Sequence, residues 1–281
     1  MNIRYGMSED IGFRTSMEDE HAVYDSEERS FFSAEIYDGH GGRKPARIAA
    51  EMLTPAFLHA WDREMKKPAR DRRSEADLLR EAYLEVDAYI VTKRLKAGTC
   101  AVQLYITQDR FMAANTGDSR AIIGTAEGVE VLTRDHKPDD APERSRVEAL
   151  GGSVKVFGVP RVQGILAISR ALGDACLKPY VSPEPRISEG SLGTENDRAL
   201  LACDGVWDVL SPETAIKTAR RYEDPKEAAE NIVRAAKDAG SGDNITVIVL
   251  DLRNYTAGLK RKKMKITGVH DRLTENMYEI L

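Results

Sequence analysis

The 281-residue chain has no apolar run of about 18 residues, so nothing in it reads as a membrane-spanning helix. Its opening residues, Met1 to Asp10, are polar and lack the apolar core of a signal peptide. Cysteine is scarce. The three present, Cys100, Cys176 and Cys203, have neither metal-ligand nor redox spacing, so they read as packed thiols of a reducing compartment, and the chain as cytoplasmic. An excess of positive charge is also missing: 41 Lys and Arg stand against 46 Asp and Glu, for a net charge of −5. The basic residues gather after Tyr255, where six Lys/Arg meet three Asp/Glu. The body is therefore more acidic than the whole, which argues against a nucleic-acid-binding surface and leaves carboxylates free to hold cations. No internal repeat and no low-complexity linker divides the chain.

What is present is the punctuation of a mixed α/β protein. His21–Asp25 and Phe31–Tyr37 flank the polar turn Ser26-Glu27-Glu28-Arg29 and predict a hairpin. Four short β-type runs follow: Cys100–Thr107, Phe111–Asn115, Arg120–Gly124 and Val129–Thr133. The turns between them leave no room for crossover helices, so they predict an antiparallel meander. Ala199–Cys203 and Ile245–Leu250 read as fully buried strands. Helical spacing of Leu78, Leu79, Tyr83, Val86, Tyr89 and Ile90 predicts a helix over Ser74–Leu95. Asp224-Pro225 opens another, which Gly240 closes. Asp140–Leu150 is a short helix, and Pro45–Trp61 a helix expected to bend or break near Pro55. Beyond Arg253 the pattern fades into a basic, solvated tail containing Lys260-Arg261-Lys262-Lys263.

Five places set an acidic side chain at a strand end or in a tight turn: Glu18-Asp19, Asp38-Gly39, Gly117-Asp118, Asp204-Gly205 and Asp243-Asn244. Taken singly, Asp-Gly after a strand is a turn signal. Taken together, Asp38 and Asp204 each end an apolar strand and precede a glycine, whose missing side chain lets backbone approach an ion. Asp243 stands just before the last buried strand. Strand ends from distant sequence converging at one sheet edge would bring four or five anions together, and only cations would relieve their repulsion. Oxygen donors without a histidine or cysteine cluster select hard ions, Mg²⁺ or Mn²⁺, over zinc.

Eight short motifs occur in order: Arg14-Thr15-Ser16-Met17-Glu18-Asp19, Tyr37-Asp38-Gly39-His40-Gly41-Gly42, Gly98-Thr99-Cys100-Ala101, Asn115-Thr116-Gly117-Asp118-Ser119-Arg120, Asp135-His136-Lys137-Pro138, Ser169-Arg170-Ala171-Leu172-Gly173-Asp174, Cys203-Asp204-Gly205-Val206-Trp207-Asp208 and Gly242-Asp243-Asn244. The series resembles the metal-dependent serine/threonine protein phosphatases of the 2C type over residues 1–252, as a single catalytic domain followed by the tail 253–281. The resemblance implies an α+β fold, two packed antiparallel β-sheets flanked by helices. It implies two Mg²⁺ or Mn²⁺ ions: Asp38 bridging both, the Gly39 carbonyl and Glu18 on one side, Asp204 and Asp243 on the other. A hydroxide bridging the ions would attack the phosphoester of a phosphoprotein. Arg14 matches the phosphate-binding arginine, His40 the general acid, and Asp118 the ligand of a third, looser cation described in parts of the family, with a purely structural role in its turn as the alternative. Asp19 stands behind the ligands; Asp174 and Asp208 match positions that organise the core. Partners implied are a phosphoprotein substrate, with no nucleic acid and no membrane, for a chain read as a monomer.

The segment Gly151–Gly164 corresponds to a flap that varies among relatives and touches substrate; here it is short. Two other readings compete. A catalytically silent relative would bind a partner through the same fold, but such proteins lose a ligand or the arginine, and Arg14, Glu18, Asp38, Gly39, Asp204 and Asp243 are all present. A calcium-stabilised structural sandwich would leave the arginine idle, and the regular Asp spacing of a calcium loop is missing.

Overall fold

A computed structural model of the chain describes residues 1 and 3–259. Two five-stranded antiparallel sheets form its centre. From edge to edge the first runs Arg4–Asp10, Ile245–Asp251, Arg198–Ala202, Arg120–Thr125 and Gly128–Val131. The second runs Arg186–Ser191, Arg110–Thr116, Ala101–Thr107, Phe31–Tyr37 and Glu20–Ser26. The expected fold of two antiparallel sheets flanked by helices is borne out.

The alternation of side chains along each strand builds the layers. Phe32, Ala34 and Ile36 pack with Val102, Leu104, Ala121, Leu201 and Ile248 in a core between the sheets. Their neighbours Phe31 and Tyr37 turn the other way, onto helices Lys44–Met65 and Glu75–Thr92. On the far face, Leu200, Ala202, Val247 and Val249 meet helices Pro212–Ala219 and Pro225–Asp238. Phe31–Tyr37 and Ile245–Asp251 are buried along their whole length because both faces are covered. Caps set the helix starts: Ser74 accepts from the Asp77 N–H, Ser211 from Thr214 and Asp224 from Lys226. Gly240, at φ +93°, closes the last of these helices as expected.

Two expectations need correction. Helix Lys44–Met65 runs unbroken through Pro55. Pro55 and Glu51 lie on its exposed face, so the Glu51 carbonyl that loses its donor is open to water, while buried Leu53, Thr54 and Phe57 hold the helix on the sheet. The four runs between residues 100 and 133 do not form one meander. Ala101–Thr107 pairs with Arg110–Thr116 in the second sheet, and Arg120–Thr125 with Gly128–Val131 in the first. The turn between Thr116 and Arg120 carries the chain from sheet to sheet. Gly117 makes the crossing possible: its φ is +101°, and a Cβ there would lie 2.3 Å from the Cys100 sulfur. The crossing delivers Asp118 to the seam between the sheets.

Gly39–His40, Gly98–Thr99 and Leu172–Gly173 form a small three-stranded sheet at the same end, and Val154–Phe157 with Val159–Val162 forms a hairpin, the short flap. Residues 253–259 continue as helix, with Thr256 buried and Tyr255 and Leu259 packed on the inter-sheet core. The basic run Lys260–Lys263 and the rest of the expected tail lie outside the described residues. No helix among the described residues is long and apolar enough to cross a membrane.

Candidate active site

Asp38 leaves the end of Phe31–Tyr37, and its carbonyl is fixed by the Cys100 N–H at 2.8 Å and the Thr99 hydroxyl at 3.1 Å. Gly39 follows because the backbone of Glu18 crowds it: a Cβ would stand 2.4 Å from the Glu18 carbonyl oxygen. Glu18 is held in turn, its carboxylate accepting from the Gly42 N–H at 3.0 Å and the Ser16 hydroxyl at 3.3 Å. Asp204 follows strand Arg198–Ala202 and opens the short helix Asp204–Trp207. Gly205 must be small, since a Cβ would fall 2.0 Å from the Asn244 carbonyl. Asp243 precedes Ile245–Asp251 and accepts from Arg14 Nη2 at 2.5 Å.

These side chains meet. Arg14, Glu18, Asp38, Gly39, His40, Asp118, Asp204 and Asp243 line one open cleft of about 720 Å³. Asp19 sits behind it, buried, with Oδ2 accepting from the Thr246 hydroxyl at 2.6 Å. Asp118 has both oxygens engaged. Oδ1 accepts from the Cys100 thiol at 3.3 Å, and Oδ2 pairs with the Lys137 ammonium. Asp208, read from the sequence as structural, also lines the cleft.

The charges are in conflict. Burial pushes the Asp38 carboxyl well above its ordinary value, and Asp204, Asp19, Asp118 and Asp243 push further. Asp204 is driven up by burial, then Asp118, Asp243 and Asp208, against partial relief from Lys137. Burial lifts Asp19 to about 6 although Thr246 donates to it. The Lys137 ammonium is opposed by burial, but Asp118 outweighs that and raises it. Carboxylates so placed gain most from a positive charge among them. An oxygen of Asp38, an oxygen of Asp118 and the Cys100 sulfur lie within 4.8 Å of one another. Burial keeps the Cys100 thiol protonated, leaving oxygen donors to set the site's preference, which fits hard divalent cations.

Two residues were missed by sequence reasoning. Asn244 clamps the Ile11–Glu18 turn: its amide donates to the carbonyls of Ile11 and Ser16, both at 3.0 Å, and its oxygen accepts from the Glu18 N–H at 2.8 Å. Asp174, read only as organising the core, lies 2.8 Å from His40 Nε2 through Oδ2. It holds a left-handed backbone at φ +49°, and Gly98 gives it room, because a Cβ there would lie 2.0 Å from Asp174 Oδ2. The signal was a Gly-Asp pair after a strand, the same one that marked Asp38 and Asp204 in mirror order.

Beneath the flap, Glu143 accepts from Arg170 Nη2 at 2.5 Å, Arg146 Nη2 at 3.0 Å and the Ser169 hydroxyl at 2.7 Å. Burial works against its charge, but Arg170 and Ser169 prevail and hold it at about 2. Glu143→Ala is expected to cost about 3 kcal/mol of stability by stranding Arg170, read as a lowered urea midpoint at unchanged slope.

Comparison with known proteins gives the family. The family model described as Protein phosphatase 2C matches residues 3–245. "Probable protein phosphatase 2C 59" of Arabidopsis thaliana is 36% identical over 262 residues, covering 90% of this chain and 81% of that protein. A solved structure titled as a C. elegans sex determining protein superposes with a TM-score of 0.83 at 29% identity, over 92% of this chain and 67% of that one. A serine-threonine phosphatase 2C from Toxoplasma gondii shares the fold, with TM-score 0.78 at 22% identity over 88% and 94% of the two chains. The chain belongs to the protein phosphatase 2C family, a family of serine/threonine phosphatases.

Proposed function

We propose that residues 1–252 form one catalytic domain that hydrolyses phosphoserine and phosphothreonine in proteins with the help of Mg²⁺ or Mn²⁺. The observation that carries this reading is the convergence of Asp38, Asp204 and Asp243 with Arg14 in a single cleft. Asp38, the Gly39 carbonyl, Glu18, Asp204 and Asp243 would hold two cations, with Asp38 shared between them. Bound there, the ions supply charge neutralisation and an acidified water for attack on phosphorus.

The chain's own groups do the rest. Arg14 gives Asp243 one N–H and keeps its others for phosphate oxygens. Asp174 engages His40 at Nε2, which leaves Nδ1 to face a departing seryl or threonyl oxygen as general acid. A third cation at Asp118 would have to displace Lys137. The acidic cleft disfavours nucleic acid as substrate. The free thiols, of which Cys176 is exposed, suit a reducing cytoplasm, and a monomer suffices for the site.

The test is release of phosphate from phosphoserine or phosphothreonine peptides with Mn²⁺ or Mg²⁺ added. Turnover is expected to stop in excess chelator and return on adding metal. Rates undiminished by the chelator would reject the metal-assisted reading. A protein that binds metal and phosphopeptide yet never turns over would favour the silent, partner-binding alternative.

A further inference from the structure

Phe13 stands out next to the cleft, one residue before Arg14 and beside Gly242. Its side chain is 87% exposed, more than Phe157 on the flap at 63%. Surface apolar residues are common and need no explanation when mobile or scattered. Phe13 is neither. Its turn is pinned from several sides: Gly12 N–H donates to Asp10 Oδ1 at 2.8 Å, Phe13 N–H to the Gly242 carbonyl at 3.3 Å, and Arg14 N–H to the Ile11 carbonyl at 3.3 Å. Gly12, at φ +61°, seats the turn directly on the backbone of Asp243, where a Cβ would be 2.0 Å from the carbonyl oxygen. The residue beside the ring is Gly242, which has no side chain to cover it; a Cβ there would come no nearer than 4.0 Å to the ring. The backbone is held rigidly, and the ring is left bare.

What covers it follows from continuity with the site. Arg14, the adjacent residue, points its guanidinium into the cleft beside Asp243. Neighbouring Cα atoms are about 3.8 Å apart, and the ring lies beside Gly242, the residue before Asp243, so a peptide whose phosphate sits on Arg14 has Phe13 within reach of its flanking residues. The cleft also has an apolar side, formed by Val159, Pro160, Leu166 and Ile168. Aromatic side chains and arginine are the types enriched where protein surfaces meet, because they offer large contact area at low entropic cost. A bare aromatic ring gains most by covering its apolar face, which makes an apolar flanking residue the better fit.

We propose that Phe13 is a specificity-determining residue that packs against an aliphatic or aromatic side chain flanking the phosphorylated residue of the substrate. This rests on the phosphatase reading above. It sorts substrates: phosphopeptides with an apolar neighbour are processed in preference to those with a small polar or basic one.

The test uses paired phosphoserine peptides that differ only in Leu or Phe against Ser or Arg at the flanking positions. Wild type is expected to favour the apolar members about tenfold in kcat/KM, the scale of partly burying one aromatic contact. Phe13→Ser should shrink that preference to within about twofold, and Phe13→Trp should keep it. Hydrolysis of p-nitrophenyl phosphate, which has no flanking residue, should be the same in all three proteins. Fluorescence anisotropy of labelled peptides on the Mn²⁺-loaded protein reads the same preference without turnover. No preference in wild type, a preference for Arg, or a preference that survives Phe13→Ser in these assays overturns the proposal. Loss of aryl phosphate hydrolysis in wild type would instead strike the phosphatase reading, with the anisotropy series still deciding the role of Phe13.

Discussion

Asp38→Asn and Asp204→Asn should each lower turnover by about three orders of magnitude, the scale expected when several kcal/mol of charge stabilisation at phosphorus is lost. The same substitutions should make the metal-free protein more stable. Both carboxylates are pushed above their ordinary range, first by burial and then by neighbouring carboxylates (Asp204 and Asp19 acting on Asp38, Asp118 and Asp243 on Asp204), so the folded state binds their protons more tightly than the unfolded chain does. For such a group, stability is highest below the ordinary carboxylate pKa and drains away as pH climbs toward the raised value. Replacing Asp38 with the neutral amide removes that penalty. The gap in melting temperature between Asp38→Asn and wild type, both in chelator, is expected to be small near pH 4 and to widen toward neutrality. A gap that stays flat with pH would show that the carboxylates are not in electrostatic conflict. Added Mn²⁺ should reverse the order, stabilising wild type and leaving the variant unmoved.

His40→Ala should slow phosphoserine peptides about a hundredfold while costing p-nitrophenyl phosphate less than about fivefold, because an activated leaving group needs little protonation. Asp174→Asn should reproduce that selectivity more weakly, about tenfold against nearly none. Asp174 is almost buried and touches His40 at 2.8 Å. If its part were only to organise the fold, both substrates would suffer alike. Equal losses for the two substrates in His40→Ala would remove the general-acid assignment.

Much of the site was legible because its chemistry coincides with local signals. Asp38, Asp204 and Asp243 each flank an apolar strand, and glycine follows the first two where backbone crowds in from Glu18 and Asn244. Pairings between distant segments were not legible. Strand Arg4–Asp10 reads as polar because the position it buries is Gly6, where a Cβ would strike the backbone of Lys226 at 2.1 Å. A strand that presents a glycine to its covering helix leaves no hydrophobic periodicity to find. The split of the expected meander was hidden for a related reason: the turn at Gly117 looks like any hairpin turn until the packing against Cys100 is known. Asn244 and Asp174 escaped because amides and carboxylates in loops carry no mark of the partner they will meet.

The crossing at Gly117 has a mechanical consequence. Asp38 hangs from one sheet, Asp204 and Asp243 from the other, and Asp118 from the strap joining them. Anything that draws these four inward works as a clasp across the mouth of the sandwich. Where the clasp is open, the two halves repel at that end, and amide exchange should begin there.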